Sequence, residues 1–134
     1  MKKENKELLL KDLYARLPYR TMVKCNTDGR HEFDEELSDI HIMNFYQFKI
    51  KPYLRPMSSM TEEELCEVQE ILGKGVEIRE GFILIVDSSI NSFSFLELQA
   101  VFDWLNAHHF DYRYLIPKGL ALEASEGIYN IKKK

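Results

Sequence analysis

Apolar residues recur at three- and four-residue spacing near the start of the chain: Leu9, Leu10, Leu13, Tyr14 and Leu17. That spacing puts them on one face of a helix, predicted over 4–16. Pro18 ends it, because the residue before a proline is pushed out of the helical region. The period then shortens. "TMVKC", 21–25, reads as a short strand and "NTDG", 26–29, as a turn. Ile40, His41 and Ile42 resume β character. Tyr46, Phe48 and Ile50 alternate with Gln47, Lys49 and Lys51, the clearest half-buried strand pattern in the chain.

Pro52 and Pro56 predict an irregular connector over "KPYLRP". Thr61 and Glu64 have the spacing of a capping box, at the head of a helix over 62–72. Its buried stripe is Leu65, Val68, Ile71 and Leu72, and Gly73 and Gly75 stop it. "FILIV", 82–86, is an unbroken apolar run of strand length, read as a central strand buried on both faces. Ser94 and Glu97 form a second capping box, with Phe93 and Leu98 placed for a hydrophobic staple. They start a helix over 95–107 whose inner face is Leu98, Val101, Phe102 and Leu105. His108 and His109 fall in its last turn. Asp111 is placed to cap a short helix ending near Ile116, and Pro117 and Gly119 close it. "LALEA" and "IYNI" then read as a hairpin, and 132–134 as a disordered tail. The sum is a single domain, 1–134, of α+β class. It has a small antiparallel sheet, read as able to curl toward a barrel, three to four helices, and a helix–short helix–hairpin ending.

Composition narrows the function. The chain has 134 residues, 45% of them hydrophobic, enough for one core. The net charge of -4 argues against whole-surface attraction to nucleic acid or anionic lipid, and leaves room only for a local basic patch. No stretch approaches the roughly 20 apolar residues of a membrane span. The "LLL" run at 8–10 is too short for a secretion signal. Cys25 and Cys66 are far apart and belong to no CxxC pair, which favours a reduced, cytoplasmic setting.

The densest chemistry is "HHFDYR", 108–113. Adjacent helical residues point about 100° apart, so His108 and His109 cannot chelate one ion. A metal would need His31, His41, Asp111 or another carboxylate from elsewhere. The expectation is therefore no metal and no cofactor. A hydrolase-like centre of His108, His109 and Asp111 is an alternative, although no GxSxG, HExxH or phosphate-binding glycine loop accompanies it. Cys25 and Cys66 read as packing residues rather than nucleophiles. Asp87, Ser88 and Ser89 read as turn chemistry. A second alternative is nucleic-acid binding by a winged-helix-like C-terminal half. Its candidate contacts are Arg113 and Lys118, beside Tyr112 and Tyr114. So few cations predict weak binding. The acidic run "HEFDEELSD", 31–39, lacks the oxygen spacing of a calcium loop and reads as a solvated face.

"KPYLRPMSSMTEEE", 51–64, and "WLNAHHFDYRYLIPKGLALEA", 104–124, resemble the hallmark segments of a family of small uncharacterised proteins. That family occurs in gut-bacterial genomes and their prophages. "LLLKDLYARLPY", 8–19, is similar to its N-terminal segment. The resemblance covers a little over a third of the chain and implies a phage or mobile-element origin. It brings no activity, cofactor or site residue. The leading expectation is a non-enzymatic, cytoplasmic interaction protein whose partner is another protein, with nucleic acid second and no membrane.

Overall fold

The computed structural model describes residues 2–72, 76–79, 82–85, 95–125 and 127–129. In chain order the elements are α1 (Lys3–Arg16), β1 (Met22–Asn26), β2 (Glu32–Glu36), α2 (Asp39–Met43), β3 (Lys49–Pro56), α3 (Glu62–Leu72), β4 (Val76–Arg79), β5 (Phe82–Ile85), α4 (Phe95–Ala107), β6 (Phe110–Asp111) and β7 (Leu122–Glu123). The fold is α+β. The chain forms two compact units, one of Met1–Arg55 with Arg113–Lys134 and one of Pro56–Tyr112.

In the first unit, α1 turns Leu9, Asp12, Leu13 and Arg16 inward. A 3₁₀ turn over Leu17–Tyr19, carrying Pro18, follows it; Leu17 keeps right-handed helical backbone, and the left-handed Arg20, at φ +56°, is what breaks the run. The chain then makes the β1–β2 hairpin, from Met22 opposite Glu36 to Asn26 opposite Glu32. Its loop is built on side-chain acceptors. Asn26 Oδ1 takes the Gly29 amide at 2.7 Å, and Asp28 Oδ1 takes the amides of Arg30 and His31. The His31 ring stands 3.0 Å from the other Asp28 oxygen. The bond from His31, with the two amides, holds the Asp28 carboxyl down at about 2. Gly29 has φ +80°, a conformation that favours glycine. β2 faces solvent along most of its length, so residues 32–36 of the acid run form a solvated strand, while Leu37 is buried and Asp39 starts α2.

β3 pairs antiparallel with β1, and β7 pairs parallel with β3. The sheet is therefore mixed, and it is open rather than closed into a barrel. Leu9, Leu13, Val23, Cys25, Leu37, Phe45, Ile50, Leu54, Leu115, Leu120 and Ala121 form the core of this unit.

Two local expectations change here. Ile40, His41 and Ile42 lie in α2 and not in a strand. The backbone amide of Ser38 donates to His41 Nδ1 at 3.0 Å. His41 thus does for this helix what glutamate does in a capping box. The strand expected over 46–51 begins at Lys49 and runs on through the proline segment. Ile50, Pro52 and Leu54 are buried, and from Pro52 to Arg55 every residue is, so the alternation of 49–52 gives way to a strand buried on both faces. One proline removes one ladder bond, and its fixed φ suits extended chain. Burial of these positions outweighs that loss.

The second unit opens with the expected capping box. The Thr61 amide donates to Glu64 Oε1 at 3.0 Å, and the Glu64 amide donates to Thr61 Oγ1 at 3.2 Å. α3 and α4 bury Val68, Leu72, Val101 and Leu105 around Met57 and Phe110. Leu98 and Phe102, expected on the inner face of α4, are 39% and 44% exposed. β4, which the sequence pattern did not announce, pairs antiparallel with β5. The burial of "FILIV" and the cap at Ser94 with Phe93 lie outside the described residues.

The C-terminal half corrects the expected helix–short helix–hairpin. Phe110 and Asp111 are extended, and 115–119 is a turn. His109 and Tyr114 have φ +64° and +59°. A right-handed helix cannot contain such residues, so Asp111 caps no helix. Gly119, at φ +74°, closes the turn. Leu122 and Glu123 then join β3 in parallel, and 127–129 is a turn, so the described part of "IYNI" does not pair with "LALEA".

Tyr129 ties this segment to the sheet. Its hydroxyl donates to the Tyr53 carbonyl at 2.6 Å and accepts the Met22 amide at 2.9 Å. Burial pushes the phenol up to about 12. In the unfolded chain it ionises near 10. The stability held by the neutral phenol is complete below pH ~10 and lost as pH rises toward ~12. The loss should reach roughly 2–3 kcal/mol. Urea melts of the parent and of Tyr129→Phe across this range check it. The parent's alkaline decline should be steeper by that amount. Identical pH slopes would contradict it.

Candidate functional site

The first unit contains a cleft of about 460 Å³, lined by Lys6 and Leu9 of α1, by the segment 45–48, and by Lys49, Ile50 and Lys51 of β3. Its local origin is simple. The turn after α2 folds over 44–48, with the Gln47 and Phe48 amides both bonded to the Asn44 carbonyl. That turn lays Phe45 into the core and leaves Tyr46 outside. Leu9, Phe45 and Ile50 are buried and supply apolar wall. Lys49 and Lys51 alternate with Ile50 on β3 and stay exposed. The Tyr46 ring meets Phe45 edge-on at 5.3 Å, and Lys6 Nζ stands 6.0 Å from its centroid. Three lysines and three aromatic residues thus line one hollow. Such a site suits an anionic group carried next to an apolar body. Ile40 and Met43, three apart on α2, are exposed as Tyr46 is, and extend the apolar surface at this end of the unit.

A second constellation lies on β1, β2 and α2. The Cys25 thiol, a Glu35 carboxylate oxygen and a His41 ring nitrogen all lie within 4.8 Å of one another. Among the described residues, no other three histidine, cysteine or acidic side chains group in this way. Cys25 is fully buried, His41 nearly so, and Glu35 reaches solvent. Since Nδ1 of His41 accepts from Ser38, Nε2 carries the proton of the neutral ring and donates to Glu35 Oε1 at 2.5 Å. Burial, and then the Glu35 charge, push the Cys25 thiol up, which keeps it protonated and a poor nucleophile.

A third group is internal. Asp12 accepts Arg16 Nε at 2.8 Å and an Arg113 guanidinium nitrogen at 2.6 Å. Asp12 and Arg16 are completely buried.

The residues singled out from sequence are not brought into one site. Arg113, a candidate phosphate contact, is spent on Asp12. Lys118 is exposed in the 115–119 turn. With no helix over 111–116, the winged-helix arrangement is absent. His108 donates from Nδ1 to the Trp104 carbonyl at 2.9 Å and stacks on the Trp104 ring at 4.0 Å. His109 is the left-handed residue that ends α4, its amide bonded to the Asn106 carbonyl. Asp111 is buried in β6. His108 and His109 thus belong to the end of α4, while Asp111 lies on a strand. Cys25 and Cys66 are both free thiols.

No family model, curated protein or solved structure matches the chain. Among the described residues, no helix is long and apolar enough to cross a membrane. The cleft had a visible signal, the interleaving of Tyr46, Phe48 and Ile50 with Lys49 and Lys51. The Cys25, Glu35 and His41 group had none, since no two of its members share a chelating interval.

Proposed function

We propose that the protein is a non-enzymatic interaction protein whose 45–51 cleft receives a short acidic segment of a partner protein, anchored by one apolar side chain. The observation that supports this is the presence of Lys6, Lys49 and Lys51 among the residues that line an apolar hollow in a chain of net charge -4. Carboxylates meet the lysines while the anchor displaces water from Leu9, Phe45 and Ile50. The exposed Ile40, Met43 and Tyr46 add the kind of apolar surface that marks protein contacts.

Lysines and aromatics together also suit single-stranded nucleic acid. The sheet disfavours a long polyanion. β2, with Glu32, Asp34, Glu35 and Glu36, lies two strands from β3, about 10 Å away and within a Debye length or so.

Fluorescence anisotropy with labelled acidic peptides, each carrying a single Phe or Leu, tests the reading. Binding should weaken with salt and fall at least tenfold in a Lys49→Glu/Lys51→Glu variant. Tyr46→Ala should weaken it with little loss of stability. If every such peptide fails to bind, or the charge reversal leaves affinity unchanged, the reading is wrong. Tighter binding of a single-stranded oligonucleotide at the same residues would replace it with the nucleic-acid alternative.

A further inference from the structure

We infer that Cys25, Glu35 and His41 form a binding site for one divalent transition-metal ion, with zinc the best match. The inference is independent of the cleft. It rests on the convergence of three different ligand types from three separate elements. A thiolate, an imidazole and a carboxylate are the ligands zinc takes in sites with three protein donors and an open fourth position. Calcium and magnesium would demand more oxygen ligands.

Charge balance supports the match. A Cys25 thiolate, a Glu35 carboxylate and a neutral His41 sum to two negative charges, which a divalent cation cancels. A neutral complex is the form that two buried ligands tolerate best. Glu35 is the solvent-facing member, with its side chain 43% exposed. Glu35 is thus the member through which water reaches the group.

Loading is a proton exchange that can be followed atom by atom. The ion takes the Cys25 sulfur, and the thiol proton leaves to solvent. It takes Nε2 of His41, whose proton is given up while Nδ1 gains one. Nδ1–H then donates to Ser38 Oγ, 3.3 Å away. This is the outer bond that metal-bound histidines need on their other nitrogen. The Ser38 amide loses its ring acceptor in the exchange, so loading loosens the start of α2. The Glu35–His41 hydrogen bond opens by about 1 Å, since ligand atoms around a tetrahedral ion stand about 3–4 Å apart.

The test uses the full chain carrying Cys66→Ser, which removes the exposed thiol. Cobalt(II) is the probe, because a thiolate ligand gives it a charge-transfer absorption that nitrogen and oxygen ligands do not. One equivalent of cobalt should develop that band, and zinc should bleach it by displacement. Cys25→Ser should abolish the band. Glu35→Gln, an exposed and nearly isosteric change, should weaken cobalt binding at least tenfold while circular dichroism stays that of the parent. No thiolate band in the folded parent overturns the site, as does a band that survives Cys25→Ser. Unchanged affinity in a folded Glu35→Gln variant removes the carboxylate and overturns the three-ligand assignment.

Discussion

Replacing Asp12 with alanine is expected to lower stability by about 3–5 kcal/mol. The carboxylate is the counter-ion of Arg16, whose side chain has no exposure at all. Removing it takes the paired carboxylate from a guanidinium that water cannot reach. Arg113 also loses its acceptor, but it is 20% exposed and can turn toward solvent at small cost. The double variant Asp12→Leu/Arg16→Leu separates charge from packing. Buried ion pairs exchanged for apolar residues of similar volume are often close to neutral. The double variant should therefore recover most of what Asp12→Ala loses. Urea melts followed by far-ultraviolet circular dichroism give both values. A single-variant loss below about 1 kcal/mol would show that Asp12 is not the counter-ion the geometry makes it.

The second large effect is expected at Phe110. Its ring is fully buried among Met57, Val68, Leu72, Val101 and Leu105, and runs nearly parallel to the Trp104 ring at 5.7 Å. Truncation to alanine leaves a cavity between α3 and α4, and should cost about 3–5 kcal/mol. His108→Ala should cost about 1 kcal/mol, one hydrogen bond and one stacked contact. Trp104 is the only tryptophan, so its emission during urea unfolding reports on this unit. If His108→Ala were the more damaging change, the helix end and not the ring would organise this core.

Elements were legible in the sequence where local rules and burial agree. α3 occupies its expected residues because cap and apolar stripe say the same thing, and α4 spans 95–107 as expected with Val101 and Leu105 buried. The α1 stripe at Leu9 and Leu13 was equally plain, but its charged members were not. Asp12 and Arg16 complete the three- and four-residue spacing from Leu9, on the face that points inward. Charge alone argued for the opposite face, and the partner that makes burial tolerable, Arg113, lies 101 residues away from Asp12. Ile40–Ile42 alternate like a strand, while the cap that makes the segment a helix has histidine at the position glutamate usually takes. The C-terminal turn was read as a helix because nothing in "HHFDYRYL" announces left-handed backbone at His109 and Tyr114. Of the candidate sites, the cleft was half visible as interleaved rings and lysines. The Cys25, Glu35 and His41 group exists only once β1, β2 and α2 have met.

The first unit takes its first 55 residues from the beginning of the chain and the rest from its end. This sets a timetable for synthesis. At roughly 5–20 residues per second, Arg113 follows Asp12 by roughly 5–20 s. Throughout that interval α1, β1 and β2 can form, yet β7 and Tyr129 have not been made. The second unit is complete by Tyr112, before the unit that began first can close. A chain truncated after residue 112 should therefore show native-like Trp104 emission while α1 remains open to protease.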